Sequence, residues 1–362
     1  MREELHSMKR PKSICRKLTV ILPVKNRPMH TLRWLEYAEA VNFPFKILIA
    51  DGSGSTKLES LLKDRITKTS LDFVYYRYER DATLLKFYKK MVSAISRCRS
   101  PFTVIIDNDI LPAPDGIFKS LTFLLKNKDY SSCRGQHVDC RLNDTQDTRI
   151  PLHGETLEVQ NVYFNKKHSI WRSFENEDPL LRIANWSDST CVLFYNVHKT
   201  ENFLKAFRFL MAKNVSDIFM LDIILSLIAL ASGKSKVIDV PYMLRQQNSP
   251  AGASRSARRR ADIFTRMFEK NWTANVNSLA ALVAKCSKPK TGMALRAITK
   301  SVMDSVINHY AARVYAHLEK QYSPNALACA FQVTQDDFVY RPADAIKGFR
   351  TSWRQQIDFL LK

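Results

Sequence analysis

FTVIIDNDI, Phe102 to Ile110, is a run of apolar residues that stops on two aspartates separated by one asparagine. The run does not alternate apolar with polar side chains, so it predicts a strand covered on both faces by helices, as in a parallel sheet. The LPAPDG that follows supplies the Pro and Gly punctuation of a loop. Asp107 and Asp109 therefore come at a strand's exit, and in open α/β sheets ligands bind beyond the carboxyl ends of the strands. Two carboxylates this close repel each other unless a divalent cation or a cationic ligand lies between them. A metal bridging both to a nucleotide diphosphate suits the arrangement; the plainer reading is a solvated or helix-capping D-x-D.

Upstream, the same strand-then-loop pattern repeats. KLTVILPV (Lys17 to Val24) reads as a buried strand, and Leu32, Leu35 and Ala38 recur at helical spacing in PMHTLRWLEYAEAV. A second strand over Phe45 to Ala50 runs into ADGSGS, a helix is predicted over Thr56 to Thr67, LDFVYYRY is a third strand, and Thr83 to Arg97 is helical. Strands alternating with helices through short connections specify a mostly parallel sheet with right-handed crossovers.

Downstream, helical periodicity over Asp115 to Lys126 and a strand in SSCRGQHV are followed by polar sequence between Asp139 and Trp186, read as an insertion or substrate-facing region. Two helices, about Lys199 to Ala212 and Asp217 to Ala231, end at Gly233, and a strand covers Lys236 to Val240. SPAGASRSARRR marks the clearest boundary, and the sequence beyond it is helical in spacing. The expected organisation is a basic N-terminal tail (1–16), an α/β domain (17–248) with an acceptor-side insertion (139–186), and a basic linker with an all-α region (249–362).

The chain has 362 residues, 45% of them hydrophobic, and a net charge of +21. That balance excludes disorder as the default and calls for a polyanionic neighbour: phosphorylated substrates, an anionic membrane surface or nucleic acid. MREELHSMKRPKSICRK lacks the apolar core of a signal peptide, so a cytoplasmic protein, peripheral at the membrane, is expected. The apolar run Ile218 to Leu230 is interrupted by Asp222 and falls short of the roughly 20 residues of a membrane span. Seven scattered cysteines without a C-x-x-C pair predict free thiols and no zinc site.

With PVKNR closing the first strand, ADGS the second, IIDND the fourth, and an acidic residue in the helix before Gly233, the chain resembles the GT-A fold glycosyltransferases of family 2 type, over roughly Lys17 to Gln247. The resemblance implies inverting transfer of a sugar from a nucleoside-diphosphate donor, a UDP-sugar, to a hydroxyl of a glycan or lipid-linked acceptor. It also implies a divalent metal, Mn²⁺ or Mg²⁺. By resemblance, Pro23, Val24 and Asn26 match the first nucleotide-contacting loop and Asp51 the acidic residue near base or ribose. Asp107 and Asp109 match the metal and ribose motif, with Asp109 as the direct metal ligand.

Inversion requires a base for the acceptor hydroxyl. Asp222 lies in an apolar helix, where a carboxylate is costly unless paired or facing a cavity, and its spacing before Gly233 resembles the family's catalytic acidic position. The family shows two adjacent acidic residues there, whereas this chain has Leu221 then Asp222 with Asp217 one turn earlier, so the base stays open between Asp217 and Asp222. Lys25, Arg27 and Lys86 are candidate phosphate contacts, with solvated surface cations as the alternative. Arg245 and Gln246 resemble a donor- or acceptor-side pair or else lie on the surface. Trp186 and Asp188 are acceptor-pocket candidates against a core role, and His198 reads as structural. Two rival functions compete with this reading: a basic nucleic-acid-binding protein, for which the sequence lacks an accompanying recognition motif, and a nucleotidyltransferase, for which it lacks a G-G-x-G-x-R-type opening. No nucleic-acid partner is expected.

Overall fold

The computed structural model describes residues 10–66, 68–143, 152–154, 156–162, 172–187, 191–215, 218–246, 271–287, 297–298, 301–302 and 354–360. After a short α1 (Lys12–Cys15), strand β1 (Leu18–Val24), helix α2 (Pro28–Ala40), β2 (Lys46–Asp51), α3 (Lys57–Ile66), β3 (Phe73–Arg77), α4 (Leu84–Ser96) and β4 (Phe102–Ile105) alternate. Their boundaries follow local chemistry. Pro28 opens α2, where a missing N–H costs nothing, and the Thr83 hydroxyl caps α4 by accepting from the Lys86 amide. The four strands are parallel in the order β3-β2-β1-β4.

Beyond β4 the sheet becomes mixed. β5 (Ile110–Pro112), α5 (Pro114–Lys126), β6 (Tyr130–Asn143), β7 (Thr156–Val162), α6 (Pro179–Ser187), β8 (Val197–Lys199), α7 (Thr200–Ala212), α8 (Phe219–Ser232) and β9 (Lys234–Gln246) follow in the chain. The order continues β4-β8-β6-β9-β5, with β8 antiparallel to both neighbours, β9 parallel to β6, and β5 antiparallel to β9. Sequence reading sees β6 and β9 as shorter strands and the 139–186 stretch as irregular. The structure carries β6 on to Asn143, pairs it with β7, and places α6 inside that stretch. Their polar composition hides them, because β6 and β7 pair at the sheet's end where one strand face need not be apolar.

Alternate residues of the central strands point into two cores. Val20, Leu22, Ile47 and Ile49 pack with Trp34 and Leu35 of α2 and Ile117 and Leu121 of α5. Ile21, Leu48 and Ala50 face α4, α7 and α8 through Tyr88, Met91, Phe207 and Ile224. Gly116 lets α5 lie directly on β9: a Cβ there would come within 2.0 Å of the Pro241 carbonyl. Past residue 249, α9 (Trp272–Ser287) buries Val276, Leu279 and Val283 in the second core, and α10 (Arg354–Leu360) buries Phe359 and Leu360 in the first. The SPAGASRSARRR stretch lies outside the described residues. The six described cysteines are free thiols, and no described helix is long and apolar enough to cross a membrane.

His198 is fully buried, its Nε2 donating to the Leu193 carbonyl at 2.7 Å while Nδ1 has no partner. Burial holds its pKa down at about 4, so between pH 6.5 and 4 the unfolded chain takes a proton that the folded chain refuses. Stability therefore falls as pH drops through that window. At pH 5 this group alone should cost about 2 kcal/mol relative to pH 7.5. Urea unfolding of the wild type and of His198→Gln at both pH values checks it: the variant should lose less stability on acidification, and equal losses would remove His198 as the cause.

Candidate active site

β4 delivers Asp107 and Asp109 into a tight turn. The Ile106 amide still bonds the Ile21 carbonyl of β1 at 3.0 Å, and the Ile110 amide closes back on the Asp107 carbonyl at 3.1 Å. Between them the Asn108 amide group donates to the Thr31 hydroxyl at 3.1 Å, tying the turn to the start of α2. The Asp109 carbonyl accepts from the Gln246 amide at 2.9 Å, tying it to the end of β9. The DND turn is thus held from both sides.

The two carboxylates have different surroundings. Half-buried Asp107 accepts from the Tyr195 hydroxyl at 2.8 Å through Oδ2; burial first and the Asp109 charge second push its carboxyl above the ordinary range. Asp109, 6% exposed, sets Oδ2 3.2 Å from the Arg27 guanidinium, while its buried Oδ1 has no hydrogen-bond partner. An orphaned, buried carboxylate oxygen is a strong acceptor waiting for a donor or a cation.

Positive charge gathers around the pair. Arg27 is the N-cap residue of α2, so the positive end of that helix also faces Asp109. Arg245 lies across the sheet from Asp139 and Ile110, its guanidinium 5.8 Å from the Tyr195 ring centre. Tyr195, Asp109, Asp107 and Asp139 all favour its charged form. Arg245 is half-buried and Gln246 buried, so neither is the open surface residue of the alternative reading. His137 Nε2 meets Asp139 Oδ1 at 2.9 Å on β6. Deeper, Arg33 donates to the Leu152 carbonyl at 2.7 Å and to Gln246 Oε1 at 2.8 Å. Desolvation lowers its pKa to about 10, leaving it charged at neutral pH.

A second group of loops stands beside this one at the same end of the sheet. Asp51, the last residue of β2, is fully buried, and its carboxylate accepts from the Ser53 amide (2.8 Å), the Ser53 hydroxyl (2.5 Å) and the Tyr75 hydroxyl (2.8 Å). Asn26, with φ 53°, takes the left-handed conformation, donates its amide to Ser53 Oγ at 2.8 Å and accepts from the Gly54 amide at 2.9 Å. The Val24 carbonyl accepts from Gly52 N and from the Lys90 ammonium, which also pairs with Asp81 at 2.5 Å. Pro23 immediately precedes that carbonyl. The loops after β1, β2 and β3 are therefore laced together over a buried ion pair.

Other candidates stand apart. Lys86 lies on the exposed side of α4 with its ammonium on Glu79. Trp186 is buried, donating to the Cys191 carbonyl at 2.8 Å, so it is core and not an open stacking platform. Asp217 and Asp188 lie outside the described residues. α8 begins at Phe219, so Asp222 sits in its first turn, half-buried, and not in mid-helix as the apolar run suggests. A carboxylate there is favoured by the helix dipole. α8 turns back at Gly233 into β9, which runs parallel to β6 and hence to β4. Its first turn consequently comes to the end of the sheet that carries Asp107 and Asp109.

Among the described residues no three His, Cys, Asp or Glu side chains are grouped to hold a metal alone. Asp107 and Asp109 nevertheless fit a hard cation such as Mg²⁺ or Mn²⁺, which is commonly held by one or two carboxylates with the remaining oxygens from water and phosphate. The free Asp109 Oδ1 is the atom that makes the fit.

No protein-family model matches the chain, nor does any curated protein sequence. Among solved structures, S. aureus TarS aligns at 11% identity and TM-score 0.45 over 95% of this chain and 80% of that one. The same protein in complex with UDP-GlcNAc aligns at 12% and 0.46 over 88% and 77%. A mannosyltransferase from Pyrobaculum calidifontis in complex with GDP-Man and Mn²⁺ aligns at 13% and 0.42 over 95% and 85%. Likeness at that level is silent on the chemistry of this chain's site.

Gly52 has no room for a side chain: a Cβ would lie 2.4 Å from the Asp81 carboxyl, which Lys90 holds, while the Asp81 amide donates to the Gly52 carbonyl. Gly52→Ala should therefore destabilise by about 1–3 kcal/mol through overpacking. A denaturation midpoint unchanged from wild type would mean that the Asp81–Lys90 pair yields freely.

Proposed function

We propose that the chain is a glycosyltransferase that moves a sugar, with inversion, from a nucleoside-diphosphate donor to a hydroxyl acceptor, with a divalent cation at Asp107 and Asp109. The observation that carries this reading is Asp109 at the exit of parallel strand β4, its Oδ1 buried and unpartnered, beside Arg27 and Arg245. Carboxylates with arginines suit a ligand that brings both a cation and phosphates, and the sequence order PVKNR, ADGS, IIDND points to the same class. When bound, the cation would offset the charge that grows on the diphosphate as the glycosidic bond breaks.

The chain's own residues supply the rest. Arg27 and Arg245 hold positive charge where the diphosphate arrives, and the α2 N-terminus adds its partial charge. Tyr195 fixes the Asp107 carboxylate by its hydrogen bond. Asn26, Asp51, Pro23 and Val24 form the laced edge for the nucleoside, with Lys86 a peripheral cation on the same side. Asp222, or Asp217 one turn earlier, takes the proton of the attacking hydroxyl. A glycan or lipid-linked acceptor and a peripheral position on an anionic membrane fit the chain's surplus of positive charge.

Thermal shifts test donor binding directly. UDP or GDP with Mn²⁺ should raise the melting temperature of the wild type, since ligand at 100 times Kd stabilises by about 2.7 kcal/mol. The rise should vanish in Asp109→Ala; equal shifts in the variant would remove the aspartate pair from the site. Asp222→Asn should keep the donor-induced shift but slow sugar transfer by roughly 100-fold or more. Undiminished turnover would transfer the base role to Asp217.

A further inference from the structure

A cleft of about 700 Å³ opens at the opposite end of the sheet, lined by residues that the site above does not use. Its floor is the amino-terminal start of the parallel strands, with Thr19 of β1, Lys46 and Leu48 of β2, and Val74 and Tyr76 of β3. Its wall is the chain leaving α4, Ser96 to Ser100. Thr19 is paired with Thr103, four strand positions before Asp107, which puts the cleft roughly 13 Å from the aspartate pair along the sheet. The two sites are separated by the full thickness of packed strand.

Charge sets this cleft apart. Arg16, Lys46, Arg97 and Arg99 line it against a single acid, Asp72. At the other end of the sheet, by contrast, Arg27 is paired with Asp109 and Lys90 with Asp81. None of the four cleft cations has a carboxylate within ion-pair distance among the described residues. Arg97 is also pre-set, its guanidinium stacked 4.5 Å from the centre of the Tyr76 ring. Stacking holds the planar fork in one orientation and so lowers the entropy lost when it grips an oxyanion.

Other uses of the cleft fail on its chemistry. Cys98 is the one thiol in the lining, and burial pushes it up to about 11, so it stays protonated and inert at neutral pH. No carboxylate pair is present for acid–base work. Apolar area is limited to Leu48, Val74 and the Tyr76 face, and Arg97 already covers that face.

We infer that this cleft binds a phosphate ester carrying at least two negative charges, held bidentately by Arg97 with Lys46, Arg16 and Arg99 around it. The volume exceeds that of a bare phosphate, so an organic group is accommodated with the anion. A soluble phosphorylated metabolite and the head group of an anionic lipid share this chemistry.

The test compares the full-length wild type with Arg97→Gln/Arg99→Gln, in which both altered side chains are exposed and circular dichroism verifies the fold. Pyrophosphate binding is measured by calorimetry in EDTA, and flotation is measured with phosphatidylcholine vesicles with and without phosphatidylglycerol. Wild type should bind pyrophosphate, the anionic vesicles, or both, more weakly as salt rises. The variant should bind at least tenfold more weakly, and Asp109→Ala should bind as wild type does. Binding of pyrophosphate alone identifies a soluble ligand, and flotation with anionic vesicles alone identifies a lipid. Absence of both in the wild type, or equal binding by the double variant, overturns the inference. The variant should keep the Mn²⁺-dependent nucleotide shift, so failure here is distinguishable from failure at the aspartate pair.

Discussion

Two carboxylates two residues apart, half or more withdrawn from water, cannot both hold their charge without cationic company, and this constraint organises the carboxyl end of the sheet. Asp107 gains the Tyr195 hydroxyl and still has its carboxyl pushed upward. Asp109 gains Arg27 on one oxygen and nothing on the other. Arg27 reaches it only because Pro28 starts α2 immediately afterwards and Asn108 holds the turn to Thr31. The protein's own cations stabilise this cluster partway and leave Asp109 Oδ1 unmet.

The loops after β1, β2 and β3 follow a different rule. There, polar groups satisfy one another: Asp51 takes three hydrogen bonds, Asn26 donates to Ser53 and accepts from Gly54, and Lys90 draws Val24 and Asp81 together. Such lacing rigidifies three separate connections into one edge. A fixed edge thus stands beside an electrostatically incomplete pair. The cleft at the far end of the strands inverts the second pattern, gathering four cations around a single acid.

The parallel half of the fold was legible because its signals are local. Unbroken apolar runs gave β1, β2 and β4, Pro28 and Thr83 marked helix starts, and Asp107 and Asp109 stood at a strand exit. The mixed half was less legible. β6 and β9 continue into polar residues, and TLEVQNV and PLLRIANWS are short segments set among polar turn signals, which hides β7 and α6. The start of α8 was misplaced because an all-apolar run has no preferred face, which left Asp222 apparently buried in mid-helix. Of the site itself, the acidic residues announced themselves, while Tyr195, Arg33, Ser53 and the Asp81–Lys90 pair did not. Tyr195 and Arg33 act through partners distant in sequence, and Ser53 and the Asp81–Lys90 pair join loops that only the folded sheet brings together, so one sequence contains no record of them.

Arg33 shows how far that concealment extends. The Leu360 carbonyl of α10 accepts from the Gly154 amide, and two residues back the Leu152 carbonyl accepts from Arg33. Arg33 also holds Gln246, whose amide bonds the Asp109 carbonyl. Tyr37, one turn beyond Arg33 on α2, is clasped by Gln356 and packed edge-on against Phe359. The last described helix is thereby joined through one buried arginine to the backbone that sets Asp109. Because Arg33 Nε and Nη2 have no partners of their own, the desolvated guanidinium is only partly compensated and depends on the two acceptors it has. The position of the decisive carboxylate thus rests partly on residues more than two hundred positions further along the chain.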